Sequence, residues 1–443
     1  MRTVLFLVVL AAVCRGDDWP QWLGERRDAV WREEGIRTDW GKEKPQIRWR
    51  APVSWGYAGP AVADGRVYVP DFVVTEGEFQ GGNQRGKVLK GRERIRCLDA
   101  GTGREIWTHD YPVTYTIAYP SGPRVTPTVQ DGLVHFVGAM GNCRALDAAT
   151  GELRWKHDFV SEYHTEPPRW GFAAHPLVHG DLVYHIVGGE GSIAVAFDKK
   201  SGEERWRALD ADAQGYCPPT LIEHGGVEQL LIWYPAALAS LNPATGRQYW
   251  AVSLKPRFAI SNTMPRKLGS RLYVSGPGKV AAMIELNDAR PDAKVLWRGT
   301  PKNAVNTLNS TPHLMDGVVY GVDAETSELR AVSMDDGRIL WATTRPCLAP
   351  DAPPRARHGT AMLVHHEANG QFWIFSETGD LILAELSEEG YRELGRRRIL
   401  EPTNEAYGRK IIWSQPAFAM KSCFARSDQE IVRVELAAGT SAR

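Results

Sequence analysis

A short pattern that ends in tryptophan recurs along this chain and constrains its fold more than any other feature. The clearest copy reads Cys-Arg-Ala-Leu-Asp-Ala-Ala-Thr-Gly-Glu-Leu-Arg-Trp and spans Cys143–Trp155. Related copies end at Trp107, Trp206, Trp250 and, in a shortened form, Trp341. The aspartate or asparagine tolerates tight-turn geometry, and the glycine supplies a positive φ. Each copy therefore predicts two short strands joined by a turn.

These copies belong to a longer repeat of about 49 residues between positions 46 and 437. Each repeat opens with a short apolar strand that usually follows a proline. The eight openings are at Pro60, Pro127, Pro176, Pro219, Pro265, Pro312, Ala361 and Pro416. Four short strands in every 40 to 50 residues or so are typical of a β-propeller blade. The sequence therefore predicts an all-β fold, an eight-bladed β-propeller with four-stranded blades over residues 46–437.

The two ends of the repeat region are each incomplete. The last repeat, Trp413 to Leu436, has three strands. The strand from Gln46 to Val53 carries Trp49 but has no repeat before it. Pairing these two parts would complete the eighth blade and leave no unpaired strand edge. We therefore predict that a strand from each end of the repeat region closes the ring.

The first residues resemble an export signal. Residues 1–16 contain Arg2 and an apolar run from Val4 to Val13, which is too short to span a bilayer. The pattern predicts a signal peptide and an exported protein, either periplasmic or extracellular. The alternative is a lipid anchor at Cys14, which lies in a faint lipobox-like context.

Residues 17–45 form a leader that contains Trp19, Trp22, Trp31 and Trp40, and we predict that it packs on the propeller. Residues 438–443 form a short tail, and no stretch after the signal is apolar enough to span a membrane. The 53 basic and 53 acidic residues balance, so no overall field favours nucleic acid, and we expect a monomer without such a partner.

The cysteine pattern argues against a disulfide framework. Five cysteines remain after a cleavage at Gly16, and no two of them are adjacent. Cys97 and Cys143 fall on predicted strands, where small apolar residues are usually buried. A bridge between these two is the alternative in an oxidising compartment.

Ala145–Trp155 matches the pattern A-x-D-x-x-T-G-x-x-x-W, and the chain on this basis resembles the pyrroloquinoline-quinone (PQQ)-like repeat family. The stretches Asp18–Trp22 and Trp170–Pro176 look like secreted propeller proteins of planctomycete-type bacteria. The fold is shared by quinoprotein alcohol dehydrogenases and by the lipoprotein of the outer-membrane barrel-assembly machinery. The resemblance implies that one tryptophan per blade docks against its neighbour. The seven candidates are Trp49, Trp107, Trp155, Trp206, Trp250, Trp297 and Trp341, and the seventh repeat closes without a tryptophan.

The resemblance also defines what a quinone enzyme of this kind would need. Such enzymes carry a disulfide between adjacent cysteines, a catalytic aspartate and a calcium site built from Glu and Asn oxygens. The sequence has no adjacent cysteines, and no spacing singles out the other groups. We therefore name no catalytic and no metal residue. PQQ with Ca²⁺ remains an open cofactor.

A candidate pocket follows from the phase of the repeat. The residue three positions before each opening should lie where an innermost strand begins, at the mouth of the channel. These residues are Tyr57, Arg124, Ala173, Tyr216, Asn262, Asn309, His358 and Trp413, and Trp170 and His175 complete the ring near Ala173. Aromatic walls with a few polar groups predict a binding site. The alternative is that these side chains pack between blades.

Arg124 is the one fixed charge in this set and needs an anionic or carbonyl partner. The set contains no carboxylate, which predicts a ligand with a carboxylate or quinone oxygens. The same face should carry a solvated, inserted loop from Phe72 to Arg92. We interpret the protein as an exported binding or scaffold module for an envelope protein or a small anionic or quinone-like ligand. The alternatives are a periplasmic PQQ-dependent dehydrogenase and an outer-membrane assembly factor.

Overall fold

The computed structural model describes residues 18–40, 45–84, 86–278, 280–300, 302–353 and 356–439. The predicted signal peptide, Cys14 and the end of the tail lie outside these ranges. Two strands precede the first blade, β1 (Val30–Trp31) and β2 (Ile47–Pro52). The described helices are one turn of α-helix, α1 (Phe159–Glu162), and one 3-10 turn (Arg257–Ala259). No helix in these ranges is long and apolar enough to cross a membrane.

The described strands form eight four-stranded antiparallel blades, which confirms the predicted propeller. Blade 1 contains β3–β6 (Ala61–Ala63, Arg66–Glu76, Leu89–Asp99 and Glu105–Tyr115), and blade 2 contains β7–β10 (Thr128–Gln130, Leu133–Val137, Asn142–Asp147 and Leu153–Asp158). Blade 3 contains β11–β14 (Leu177–His179, Leu182–Ile186, Ala194–Asp198 and Glu204–Ala208), and blade 4 contains β15–β18 (Thr220–His224, Val227–Trp233, Ala237–Leu241 and Gln248–Ser253).

Blade 5 contains β19–β22 (Arg266–Leu268, Arg271–Val274, Ala282–Leu286 and Ala293–Arg298). Blade 6 contains β23–β26 (His313–Met315, Val318–Val322, Leu329–Ser333 and Ile339–Thr343). Blade 7 contains β27–β30 (Ala361–His366, Gln371–Ser376, Asp380–Leu386 and Tyr391–Arg398). A hairpin, β31–β32 (Asn404–Ala406 and Arg409–Ile411), leads to blade 8 with β33–β35 (Ala417–Ala419, Ser422–Arg426 and Glu430–Glu435). The first strands of several neighbouring blades contact each other, so they surround the central channel.

The ring closes as the sequence predicts. Strand β2 pairs antiparallel with β35, with Ile47 opposite Val434 and Pro52 opposite Glu430. This pairing supplies the fourth strand of blade 8 and satisfies an edge that would otherwise be open. The eighth blade is therefore built from both ends of the repeat region.

Most of the closing-strand tryptophans hold one blade to the next. The indole Nε1 of Trp155 donates to the carbonyl of Lys199 at 2.9 Å, in the turn of the following blade. Its ring covers Gly202, where an added Cβ would lie 2.8 Å from the indole. The glycine is needed there for its positive φ of 76° and for this close approach. Trp49, Trp107, Trp206, Trp297 and Trp341 make the same indole-to-carbonyl bond to the next blade.

Trp250 differs because the following blade lacks the glycine turn. The corresponding connection between β21 and β22 contains Asn287 and Pro291 and no glycine. The Trp250 indole instead donates to Oε1 of Gln229 in its own blade, at 2.8 Å. Trp250 is still buried. At Trp250 the bond to the next blade is therefore replaced by a bond within the same blade.

The leader enters the central channel from the face opposite to the blade connections. Trp19 pairs with Val62 on β3, and β1 runs parallel to β27 as a fifth strand of blade 7. Between these contacts the Arg27 side chain is only 5 % exposed. The leader therefore crosses the channel and joins blades on different sides of the ring.

Blade 1 extends further than the other blades on the connection face. The sequence predicts a loop over Phe72–Arg92, but Phe72 to Glu76 and Leu89 to Arg92 continue β4 and β5 as a paired hairpin. The loop expectation is wrong for these parts because alternating buried residues, such as Phe72 and Leu89, pack against Tyr115 and Ile117. Only the tip of the hairpin lacks strand pairing.

The five described cysteines are all free and buried. The alternative of a bridge between Cys97 and Cys143 is therefore wrong. Cys97, Cys143 and Cys423 lie on strands, whereas Cys217 and Cys347 lie in connections. Burial raises the pKa of the Cys97 thiol to about 12. A protonated, buried thiol behaves as a small apolar residue.

The docking contact predicts a large effect of Trp155→Ala. The change removes a ring that is 8 % exposed and leaves the Lys199 carbonyl without its donor. We expect the free energy of unfolding to fall by about 3–5 kcal/mol in denaturant titrations. Trp22→Ala, in the leader, should cost less because Trp22 faces a cavity. Equal and small effects of the two changes would contradict a docking role for Trp155.

Candidate ligand-binding site

One cavity at the mouth of the channel brings the predicted pocket residues together. Its volume is about 570 Å³, which lies within the range of small-molecule sites. All nine candidates line it, namely Tyr57, Arg124, Trp170, His175, Tyr216, Asn262, Asn309, His358 and Trp413, and so does Ala173. Seven of them converge because each precedes an innermost strand at the same phase of the repeat, and Trp170 and His175 fill the position next to Ala173.

The leader forms the floor of this cavity. Trp22 stacks on His175 with ring centroids 4.5 Å apart and an interplanar angle of 17°. Below it, the Arg27 guanidinium donates to the carbonyls of Pro176 at 2.8 Å and Pro219 at 3.4 Å. Sequence reasoning missed Trp22, because the leader has no period that could place it. The channel is therefore closed beneath the cavity.

The floor histidine is held neutral. Burial and the neighbouring Arg27 charge lower the pKa of His175 well below its usual value. The backbone N–H of Thr126 donates to its Nδ1 at 3.0 Å, so this nitrogen is the acceptor. Burial likewise lowers the pKa of Arg27 to about 10, which leaves it charged at neutral pH. The charge of Arg27 under the floor is therefore positive.

Arg124 has its partners within the chain. Its guanidinium donates to the backbone carbonyls of Ala118, Tyr119 and Gly122 and lies over the Tyr57 ring, 5.3 Å from the centroid. These bonds fold the connection between blades 1 and 2. The argument that a ligand must supply the partner of Arg124 is therefore wrong, because the loop carbonyls satisfy it. Backbone carbonyls brought round by a loop leave no signal in the sequence.

Other arginines provide the free positive charge at the mouth. Arg169, Arg257 and Arg357 come from three different blade connections, line the cavity and are exposed. Glu325 is the one acidic residue among the described lining residues, and its Oε2 lies 3.5 Å from Nη1 of Arg357. Four lining arginines against one glutamate make the described cavity electropositive. The connections differ in length, so the repeat phase did not reveal these residues.

Several cavity side chains also hold neighbouring blades together. The amide of Asn262 donates to the Leu308 carbonyl, and that of Asn309 donates to Oγ1 of Thr360 at 3.3 Å. The Trp413 indole donates to Glu377 at 3.2 Å. Burial raises the pKa of Glu377, although the Arg409 guanidinium opposes this shift. The alternative that these side chains pack between blades is thus correct for Asn262, Asn309 and Trp413. The same bonds hold these three side chains in fixed orientations along the cavity wall.

The lining residues fit an anion better than the calcium–quinone pair of related enzymes. Quinone carboxylates could meet the mouth arginines, but Ca²⁺ needs several carboxylate or amide oxygens. Glu325 is the one carboxylate among the described lining residues, and it is paired with Arg357. Among the described residues, no group of three His, Cys, Asp or Glu side chains could hold a metal ion. The calcium part of this cofactor therefore does not fit here.

Comparisons with known proteins agree with this architecture. The family described as "Outer membrane protein assembly factor BamB" (PQQ_2) matches residues 91–223 and 236–440. The chain belongs to this family. The match runs from β5 of blade 1 to the end of blade 8, apart from residues 224–235 around β16. No curated protein matches the chain significantly.

Solved structures share the fold at low sequence identity. BamB from Moraxella catarrhalis is 12 % identical with a TM-score of 0.56, over 90 % of this chain and 99 % of that chain. Quinohemoprotein alcohol dehydrogenase from Comamonas testosteroni is 13 % identical with a TM-score of 0.60, over 96 % and 81 %. Quinohemoprotein alcohol dehydrogenase ADHIIG from Pseudomonas putida HK5 is 14 % identical with a TM-score of 0.58, over 96 % and 81 %. Identities this low establish the fold alone.

The contacts of Arg124 predict a structural role. Arg124→Ala would leave three carbonyls of the connection without their donor. We expect the free energy of unfolding to fall by about 2–3 kcal/mol. Arg169→Ala is the control, since its exposed guanidinium lies over the Trp170 ring, and it should change stability by less than about 0.5 kcal/mol. Unchanged stability of the Arg124 variant in chemical unfolding would refute this assignment.

Proposed function

We propose that the protein is a binding module of the cell envelope whose central cavity takes a small anionic ring compound. The observation that carries the proposal is the excess of positive charge in a cavity with aromatic walls. Four arginines and one glutamate line the described part of the cavity, together with Trp22, Trp170 and Trp413. Guanidinium groups favour carboxylate or quinone oxygens. Aromatic rings favour the face of a flat or cyclic ligand.

The closed floor supports binding rather than passage. The stacked pair of Trp22 and His175 and the buried Arg27 lie across the channel. A ligand therefore enters and leaves on the face that carries the blade connections. A dead-ended site of this size buries much of a small ligand, which is what affinity for a small molecule requires.

Export to the envelope is part of the proposal. The family description names an outer-membrane assembly factor, and the sequence begins with a signal-like segment. We further propose that the mature protein is periplasmic or extracellular, with the Cys14 anchor as the alternative. Mass spectrometry of the mature N-terminus would distinguish a free Asp17 from a lipidated Cys14.

A PQQ-dependent dehydrogenase is the second candidate, because two quinohemoprotein dehydrogenases share the fold over most of the chain. The mouth arginines could hold the quinone acids. The described cavity lacks a fitting calcium ligand set and adjacent cysteines, so we propose no reaction step. Dye reduction in the presence of PQQ, Ca²⁺ and alcohols would support this candidate over a binding role.

An assembly factor is the third candidate, and the family match favours it. Such a protein would contact envelope partners through exposed surface, and loss of the cavity charge would leave this contact intact. Co-purification from envelope extracts with the cavity variants described below would separate the two roles. A partner whose capture is insensitive to Arg257→Gln would point to a scaffold role outside the cavity.

Calorimetric titration tests the binding proposal. We expect galacturonate or PQQ to bind and neutral galactose to bind at least tenfold more weakly, because the mouth charge is unbalanced. Arg257→Gln should weaken anion binding about fivefold, and added salt should reduce affinity in the parent. The parent should bind PQQ equally with and without Ca²⁺.

Arg290→Gln is the matched control. Arg290 is exposed and paired with Asp292 in a turn between β21 and β22, away from the cavity. Its replacement should leave affinity unchanged. Equal binding of galacturonate and galactose, or no binding of either acid, would rule out the anion-binding proposal.

A further inference from the structure

Two exposed aromatic side chains project at the mouth of the cavity. Phe258 is 62 % exposed and Tyr407 is 51 % exposed, and both line the cavity. Phe258 lies in the connection between blades 4 and 5. Tyr407 lies at the tip of the β31–β32 hairpin, between blades 7 and 8. The two rings therefore stand three blades apart around an eight-bladed mouth, where solvent reaches both.

Both residues have a backbone conformation that disfavours a large side chain. Phe258 has φ 56° and Tyr407 has φ 51°, and Tyr119 and His358 on the same rim have φ 52° and 58°. Left-handed φ costs a residue with a Cβ on the order of 1–2 kcal/mol, whereas glycine adopts it freely. Such strain clusters at sites where the side chain has a role. Exposed apolar rings on a strained backbone stabilise the folded protein little.

Each rim aromatic is accompanied by an arginine. The Arg257 guanidinium lies 4.7 Å from the Phe258 ring centroid, and the Arg169 guanidinium lies 4.9 Å from the Trp170 ring centroid. Arg409 lies 6.0 Å from the Tyr407 ring centroid, but its charge is paired with Glu377. Tyr407 also packs against His358, with ring centroids 4.7 Å apart. The mouth thus carries more than one pair of an aromatic ring and a neighbouring cation. A ligand that matches this arrangement carries an acid group on each of several rings.

We propose that Phe258 and Tyr407 hold a second ring of the ligand outside the cavity, so that the ligand is the end of an acidic oligosaccharide. This inference rests on the proposed anion-binding function and specifies its ligand. One acidic sugar occupies the cavity above Trp22, and the next lies between the rim aromatics. Because the floor is closed, the cavity accepts a chain end and excludes a chain interior.

Two other classes of acidic chain fit the mouth less well. Single-stranded nucleic acid is usually bound along a continuous basic groove several nucleotides long, whereas this protein has no net charge and the mouth arginines surround a single opening. Acidic peptides are recognised by clusters of arginines, but their acidic side chains offer no ring to the exposed Phe258 and Tyr407. Both classes are outcomes of the test below.

The test compares galacturonate with di- and tetragalacturonate by calorimetry. We expect the tetramer to bind the parent at least tenfold more tightly than the monomer. In Phe258→Ala, in Tyr407→Ala and in the double variant, this ratio should fall toward one. Ile106→Ala is the matched control, because Ile106 is 45 % exposed on the outer strand of blade 1 and should leave the ratio unchanged.

A second measurement tests the strain independently of any ligand. Phe258→Gly and Phe258→Ala both remove the ring, but only glycine relaxes the left-handed backbone. The glycine variant should melt about 1 °C above the alanine variant and bind the tetramer equally weakly. An alanine variant as stable as the glycine variant would overturn the strain argument. If the double variant still binds the tetramer at least tenfold more tightly than the monomer, Phe258 and Tyr407 do not contact the ligand.

The remaining outcomes separate this inference from the proposed function. A parent that binds monomer and tetramer with equal affinity retains anion binding and overturns the chain-end ligand. A parent that prefers tetraglutamate or a tetranucleotide to tetragalacturonate overturns the sugar class. A parent that binds none of the acids overturns the proposed function together with this inference.

Discussion

The ring depends on one contact, an indole laid over a glycine turn in the neighbouring blade. Trp155 on Gly202 is the clearest example. The contact buries a large ring and gives its N–H a carbonyl partner, so neither the apolar nor the polar part of the side chain is left unsatisfied. Strand β2 also helps to hold the ring together. It completes blade 8 by pairing with β35, and its Trp49 donates to the Ala100 carbonyl of blade 1. One strand thereby joins the last blade to the first.

The leader adds a different kind of stabilisation. Arg27 and Arg266 are buried, and their guanidinium groups donate to backbone carbonyls of Pro176, Pro219 and the leader itself. Burial lowers the pKa of both groups to about 10, and both remain charged at neutral pH. Carbonyl bonding reduces the cost of burying these charges but does not cancel their field. The interior of the channel therefore adds positive potential beneath the cavity.

The repeat phase predicts much of this architecture. It gives the number of blades, the closure by β2 and the ring of side chains that starts at Tyr57 and ends at Trp413, because one geometric rule positions every repeat. It does not predict features that lie outside the repeat. The floor residue Trp22 belongs to an aperiodic leader, and Arg169, Arg257 and Arg357 lie in connections of unequal length. The partners of Arg124 are backbone carbonyls, which no side-chain pattern can reveal.

Blade 1 breaks the near-equivalence of the eight blades. Its strands β4, β5 and β6 each have 11 residues. The tip of its hairpin reaches the hairpin before blade 8, where the Gly82 N–H donates to Oδ1 of Asn404 at 3.0 Å. This contact covers one sector of the opening with chain from both sides of the ring closure. The approach to the cavity is therefore covered on one side, where the tip of the blade 1 hairpin contacts the hairpin that carries Tyr407. The cavity is thus built from eight similar blades, but its opening has one covered side and one open side.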